Sequence, residues 1–510
     1  MGAKQTLVRN VLSNWMGLLL SVLVAFFMSP FMVHSLGDSM YGIWVLLLSV
    51  TGYMGLLDTG LKTSIVRYVS RFNAVSDRES LDRVVSTSFV LYGALSVIAL
   101  IITILLAWRF EYLFKVEPQT IDTVRMVVYL GGIGVAITLP ISVFGGVLVG
   151  FQRYDQLNKV NILLLGLRTI AIIVVLSIGF GIVAVSGIQL ASQVLLGALL
   201  AWYAYRQYPS LRIRMAACTK DTAKMLYSYS GFMLLNNLAM YSLFYSGEVL
   251  VGIYMGSASI TYYAIATGLV HYLSKFVGAM TQVLHPYASD QEARGNSEKL
   301  KQVIVQGTKW CLLLVLPITL TYIILGKRFI GLWMGPQYAE LSGMILIIAA
   351  IGRIMWLSQS GTGNILLGVG KHKVITSANI ATGAASILLS VLLIQRFGLI
   401  GVALGTSIAL SVSQIFVVMY TCKTFHIRIA QYVRDAWFGP LLASIPFSAG
   451  LFVIQGVANP THLVSFFAEV LLALPLFVVP AYFVCFTASE RRDYFHRYLR
   501  WTTVTVRGAS

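Results

Sequence analysis

Long apolar runs and short polar interruptions alternate along the whole chain. A helix needs about 20 apolar residues to cross about 30 Å of hydrocarbon, and fourteen runs meet that length. Six cover 11–34, 40–61, 84–107, 122–149, 157–179 and 183–205. Six more cover 229–254, 260–285, 302–325, 341–368, 374–395 and 399–421, and a last pair covers 437–457 and 463–486. The pattern predicts an all-α polytopic membrane protein with fourteen transmembrane helices. Lys4 and Arg9 precede the first run, and no small-residue cleavage pattern follows it. A retained first helix is therefore expected, not a removed signal.

The chain also repeats itself. Residues 146–162 read GVLVGFQRYDQLNKVNI, and 218 positions later residues 364–380 read NILLGVGKHKVITSANI. Gly150 falls on Gly368, Arg153 on Lys371, Asn161 on Asn379 and Ile162 on Ile380. Tyr68, Ser70, Ala74, Leu81 and Val84 match Tyr287, Ser289, Ala293, Leu300 and Val303 at 219, and Phe180-Gly181 matches Phe397-Gly398 at 217. Three matches in one order with one spacing argue for a duplicated half. Six spans per half is an even number, so both halves face the same way. The expectation is two parallel six-helix repeats around a cleft, plus two C-terminal helices. The expected lobes are 1–206 and 225–421, followed by the appended helices at 436–487 and a cytoplasmic tail at 488–510.

Composition agrees with the pattern. Hydrophobic residues make up 57% of the chain and charged residues only 11%, against about 25% charged in a soluble domain. The net charge of +18 could suggest nucleic acid, but its distribution argues for membrane topology. With the N-terminus inside, the inner segments hold 28 of the 37 Lys and Arg and the outer ones hold six. That bias places both termini in the cytoplasm. The inner stretches 62–83 and 286–301 look like amphipathic surface helices, with Ser76–Glu79 and Ser289–Glu292 resembling capping boxes. Four cysteines show no ligand spacing and are expected as free thiols. No outer loop is long enough for a folded extracellular domain.

Ionisable groups deep in a membrane are costly and usually face a cavity or a partner. Arg168, Lys275 and Arg353 lie near mid-depth, and all are basic. A basic midplane suits an anionic cargo. On the eighth span His271, Lys275, Gly278, Gln282 and His285 recur every three or four residues, which puts them on one helical face. Similar polar seams run through Asn237, Tyr241, Tyr245 and Glu248, through Arg353, Trp356, Ser360 and Asn364, and through Asn14, Gly17 and Ser21. Tyr241, Tyr245, Tyr262, Tyr263 and Trp356 are candidate sugar contacts. The expected substrate-binding set is Lys275, Arg353, Arg168, His271, Gln282, Asn237 and Tyr241. Glu248, then Asp58, are the candidates for a coupling cation. The structural alternative is that Lys275 or Arg353 pairs with Glu248 and merely ties helices together.

Phosphate-loop, zinc-protease and serine-hydrolase motifs are missing, so the chain is expected not to be an enzyme. It is expected to need no cofactor beyond a proton or sodium gradient. Residues 295–301 (GNSEKLK), 326–338 (GKRFIGLWMGPQY), 366–373 (LLGVGKHK) and 397–405 (FGLIGVALG) resemble the polysaccharide transporter family of O-antigen and exopolysaccharide flippases. That family sits in the multidrug/oligosaccharidyl-lipid/polysaccharide flippase superfamily. The resemblance implies a MATE-like two-lobe fold with a central cavity. It also implies export of an undecaprenyl-diphosphate-linked oligosaccharide across a bacterial inner membrane, with Lys275 best matched to the diphosphate. The partners it implies are the lipid-linked oligosaccharide, membrane lipids, a polysaccharide polymerase and chain-length machinery, without nucleic acid. The rivals are a cation-coupled multidrug exporter and a lipid II flippase. Asn14 and Ser21 stand in the first span where lipid II relatives carry basic residues, and the basic midplane disfavours cationic drugs.

Overall fold

The computed structural model describes residues 3–457, 460–488 and 490–491, and side chains for all of these except 3–14, 57, 59 and 228–234. The side chain of Asn14 and most of the expected cytoplasmic tail lie outside the described residues. Every regular element among the described residues is helical. Hydrocarbon offers no partner to backbone N–H and C=O groups, and a helix satisfies its own. The principal helices are α1 Ala3–Met54, α2 Leu56–Ala74, α3 Arg78–Trp108, α4 Ile121–Gly150, α5 Tyr154–Ser177, α6 Ile182–Gln207 and α7 Lys220–Tyr254. They continue as α8 Ser257–Thr281, α9 Leu284–Ala293, α10 Ser297–Trp333, α11 Pro336–Ser358, α12 Ser360–Gly368 and α13 His372–Thr424, then α14 Gly439–Val457, α15 Leu463–Ala473 and α16 Pro475–Val484.

Among the described residues ten segments are long and apolar enough to cross a membrane. Two of them, α1 and α13, each contain one non-helical glycine, Gly37 and Gly398, and are long enough to hold two expected spans each. Helices α7 and α8 have 35 and 25 residues but are not among the ten. Their polar seams lower their hydropathy.

Two compact units account for the chain. Unit 1 is Met1–Ile265 with Asn379–Thr406, and unit 2 is Ala266–Ala378 with Ser407–Ser510. Unit 1 is cored by Leu61, Ile65 and Val69 of α2, Val84, Val85 and Tyr92 of α3, and Val143, Val147 and Leu148 of α4. Unit 2 has a core around Ala288, Leu300, Ile304, Ile365, Leu366 and Tyr432. Helix α3 illustrates packing suited to lipid. It buries Ser86, Thr87, Ser88, Ala99 and Thr103 and exposes Val97, Ile98, Ile101, Ile104 and Leu105. Small residues let helices approach closely, while large apolar ones face acyl chains.

The basic amphipathic stretches are helices, α2 and α9, but neither capping box forms. Asp77, not Ser76, caps α3 by accepting from Ser80 N–H at 3.0 Å. Hydrogen bonds from the Ser80 hydroxyl and N–H hold the Asp77 carboxyl below its usual range. Ser76 instead takes a left-handed φ of 54°, and Glu79 pairs with Arg83. Ser289 sits inside α9 and donates to the Gly368 carbonyl at 2.7 Å.

Left-handed backbone recurs at the sequence-repeat spacing. Gly37 and Gly256, Ser76 and Gly295, and Gly179 and Gly398 each lie 219 apart, and Gln152 and Gly370 lie 218 apart. The turns match bond for bond. Arg153 N–H donates to the Leu148 carbonyl and Lys371 N–H to that of Leu366, while Asp77 N–H donates to Phe72 and Asn296 N–H to Gln291. All four close the wide loop of a Schellman ending. The matched glycines Gly150 and Gly368 also do the same work. A Cβ on Gly150 would stand 2.8 Å from Val69 Cβ, and one on Gly368 would stand 2.8 Å from Ala288 Cβ. Val69 and Ala288 are themselves 219 apart.

At Gly368 the added carbon would also meet the His285 backbone oxygen at 2.5 Å, whereas at Gly150 its nearest obstacle is a valine methyl at 2.6 Å. Gly368→Ala is therefore expected to cost about 1–3 kcal/mol of stability, as overpacking does, and Gly150→Ala less. Thermal unfolding in detergent checks the order.

Candidate functional site

Two polar constellations occupy the bundle, one in each unit. In unit 2, helices α8 and α9 run parallel to α11 and α12 in constant register. Arg353 meets Ser274, Ser360 meets Thr281, and Gly368 meets Ser289, each pair 79 apart. Arg353 is 6% exposed. Its Nη1 donates to Ser274 Oγ at 3.2 Å, and its guanidinium lies 5.6 Å from the Trp356 ring centroid. Half-buried His271 lies within electrostatic reach of both Arg353 and Lys275, and Lys275 is exposed. Three of the expected binding residues, with Trp356, thus belong to one neighbourhood of this unit.

The rest of the expected seam on the eighth span is broken. Helix α8 ends at Thr281, and Gln282 and His285 fall in and after the turn to α9. The cause is Pro286, which has no N–H for the carbonyl of residue 282 and whose ring crowds it. Gln282 is exposed beyond the helix and does not continue the face of His271 and Lys275. Ser360 and Asn364 are taken up in packing. Asn364 Nδ2 donates to Thr281 Oγ1 at 3.2 Å, and the Thr281 and Ser360 hydroxyls are 2.9 Å apart.

Unit 1 holds the carboxylates. Asp58 of α2 accepts from the Tyr92 hydroxyl and, at 3.0 Å, from Ser142 Oγ. It lines a cavity of about 270 Å³ with Trp44, Thr51, Ser142, Gln189 and Gln193. Arg168 reaches the same wall from α5, donating to Gln189 Oε1 at 2.9 Å. Tyr241 stacks on Tyr245, with centroids 5.3 Å apart, and lies 6.4 Å from Tyr53. Tyr241 feels the charge of Asp58, while Tyr53 and Tyr245 feel that of Glu248. Glu248 is 4% exposed. The stack and both candidate coupling residues belong to this unit. Asn237 is half-buried on the same helix, but its neighbour Asn236 makes the long-range contact, accepting from Asn379 Nδ2 at 3.1 Å. Tyr263 is a packing residue, since a Cβ on Gly247 would stand 2.5 Å from its hydroxyl.

Residues 31–343 match the model of the family described as "Polysaccharide biosynthesis protein". The chain belongs to this polysaccharide biosynthesis family. One relative in sequence is the "Putative O-antigen transporter" of Shigella flexneri, 21% identical over 408 residues, which are 79% of this chain and 94% of that protein. In fold this family member resembles the lipid II flippase MurJ, solved in an inward closed conformation. The TM-score is 0.71 at 14% identity, covering 93% of this chain and 98% of that one. It also resembles a multidrug resistance MATE family transporter of the MOP superfamily, with a TM-score of 0.68 at 17% identity, covering 81% and 96%.

Tyr92, Ser142 and Ser274 were not legible as site residues, because nothing local ties them to Asp58 or Arg353. A hydrogen bond to a charged group contributes about 1.5–3 kcal/mol. Tyr92→Phe is expected to lose about that much stability, measured by unfolding in detergent. Ser142→Ala, which leaves the Tyr92 hydroxyl on Asp58, should lose less.

Proposed function

We propose that this protein is a flippase for an undecaprenyl-diphosphate-linked oligosaccharide, an O-antigen, capsule or exopolysaccharide repeat unit. It carries the unit from the inner to the outer leaflet of a bacterial inner membrane by alternating access. The observation that carries this reading is the grouping of His271, Lys275 and Arg353 in unit 2, with buried Arg353 donating to Ser274. Basic groups on spanning helices are stabilised by an anion. A diphosphate is such an anion, and Trp356 beside Arg353 offers a face to a sugar. The relative named for O-antigen transport supports the glycan, and the family description supports the pathway.

Fourteen crossings in two parallel repeats, with both termini cytoplasmic, suit this mechanism. The paired left-handed residues and the paired glycine contacts support the repeat. So does the hydrogen bond of 2.7 Å between the Ser39 and Ser257 hydroxyls, 218 apart, since two-fold-related positions meet each other only near the axis. Arg168 acts from beside the Asp58 cavity. Export hands the repeat unit to a polymerase and its chain-length machinery.

Arg353→Ala and Lys275→Ala are each expected to reduce surface glycan at least about tenfold, the effect of losing one charge-assisted contact. Arg353→Lys should retain part of the export and Ser360→Ala most of it. Wild-type export by both alanine variants, at equal protein levels, would remove the grouping from the mechanism.

Coupling rests on the carboxylates. In proteoliposomes under an imposed proton or sodium gradient, Asp58→Asn or Glu248→Gln should abolish the stimulation of flipping by the gradient. Full stimulation in both variants would exclude these two residues from coupling.

A further inference from the structure

A second cavity in unit 1, of about 730 Å³, is lined by the first turns of α3 and by the connector between α6 and α7. Arg78, Asp82 and Arg83 come from the helix, and Tyr208, Arg212 and Arg214 from the connector. Both segments belong to the Arg-rich inner side of the chain. The sequence explains the geometry. The connector is extended there, so alternate side chains face opposite ways. Leu211 is buried and Ile213 packs on the unit 1 core, which leaves Arg212 and Arg214 side by side and exposed.

The backbone carrying that pair is fixed. Arg214 N–H donates to Ser86 Oγ at 3.0 Å, Ser86 Oγ donates to the Arg212 carbonyl at 3.3 Å, and Arg212 N–H reaches Asp82 Oδ1 at 3.4 Å. Arg83 is engaged by Glu79 at 2.5 Å. Among the described residues no ion pair engages Arg78, Arg212 or Arg214. Asp82 is one negative charge against these three, so the cavity carries a positive surplus. The Tyr208 ring is seated against Phe151, and its hydroxyl is buried without a hydrogen-bond partner among the described residues. Guanidinium forks carried on a fixed backbone, beside a spare hydroxyl donor, match the oxygens of a phosphate.

We propose that this cavity binds a phosphate ester at the inner face of the membrane. Arg212 and Arg214 grip its oxygens, Arg78 adds charge and the Tyr208 hydroxyl donates a neutral hydrogen bond. The same chemistry is carried by an anionic phospholipid headgroup and by a soluble phosphate. Bound there, it would link the connector to α3. The site is independent of the cargo, because none of its residues belongs to the basic grouping of unit 2 or to the Asp58 cavity.

The test uses the full purified chain. Native mass spectrometry measures retention of phosphatidylglycerol against phosphatidylcholine, and calorimetry measures binding of inorganic pyrophosphate. Wild type is expected to prefer one of the anionic probes, and to lose that preference as salt rises. The double variant R212Q/R214Q should weaken it at least about tenfold, and R212K/R214K less. Arg78→Gln, a single exposed change, provides a second variant with little risk to folding. The control pair R294Q/K299Q, on another inner segment, should leave binding unchanged. Selective phosphatidylglycerol retention assigns a lipid headgroup, and pyrophosphate binding alone assigns a soluble phosphate. Equal binding by wild type and R212Q/R214Q, or equal loss in the control pair, overturns the proposal.

Discussion

A hydrocarbon solvent forms no hydrogen bonds, and that constraint governs this molecule throughout. It makes helices the only regular element among the described residues. It also lowers the advantage of burying large apolar side chains, so from Val97 to Leu105 α3 turns them outward and packs through Ala99 and Thr103. Polar side chains must then find one another inside the bundle. The Tyr432 hydroxyl, for example, lies 2.7 Å from Thr308 Oγ1 and 2.9 Å from Gln359 Oε1, all three residues being buried.

Charge is sorted along the same lines. Asp58 is held by two neutral hydroxyls, which satisfy a carboxylate without cancelling it. Arg353 of α11 is buried and donates to Ser274 of α8. The stack of Tyr241 on Tyr245 adds polarisable groups to the unit that holds Asp58.

The fold was largely legible in the sequence because its signals are periodic. Apolar runs marked the helices, and the spacing of 218 to 219 marked positions whose backbone later proved alike, such as Gln152 and Gly370. The site was less legible. Period-3.6 reasoning placed His271 and Lys275 correctly on one helix but carried the face through Gln282 and His285, past a break set by Pro286. The capping motif at Ser76–Glu79 lost to Asp77, one residue later, because Ser76 is committed to the left-handed turn. Contacts such as Asp58 with Tyr92 join residues 34 apart in the chain, and nothing short of tertiary structure announces them.

The matched turns differ in one respect. Where the second half has Gly295 and Gly370, the first has Ser76 and Gln152 in the same left-handed conformation. Glycine visits both hands of backbone space freely, whereas a residue with a Cβ does so only under constraint. The corners of the first half are thus the stiffer pair, and those of the second half can reorient with little strain. Under the proposed duplication the two copies have kept one shape while parting in compliance, so a motion that flexes both should begin at 295 and 370.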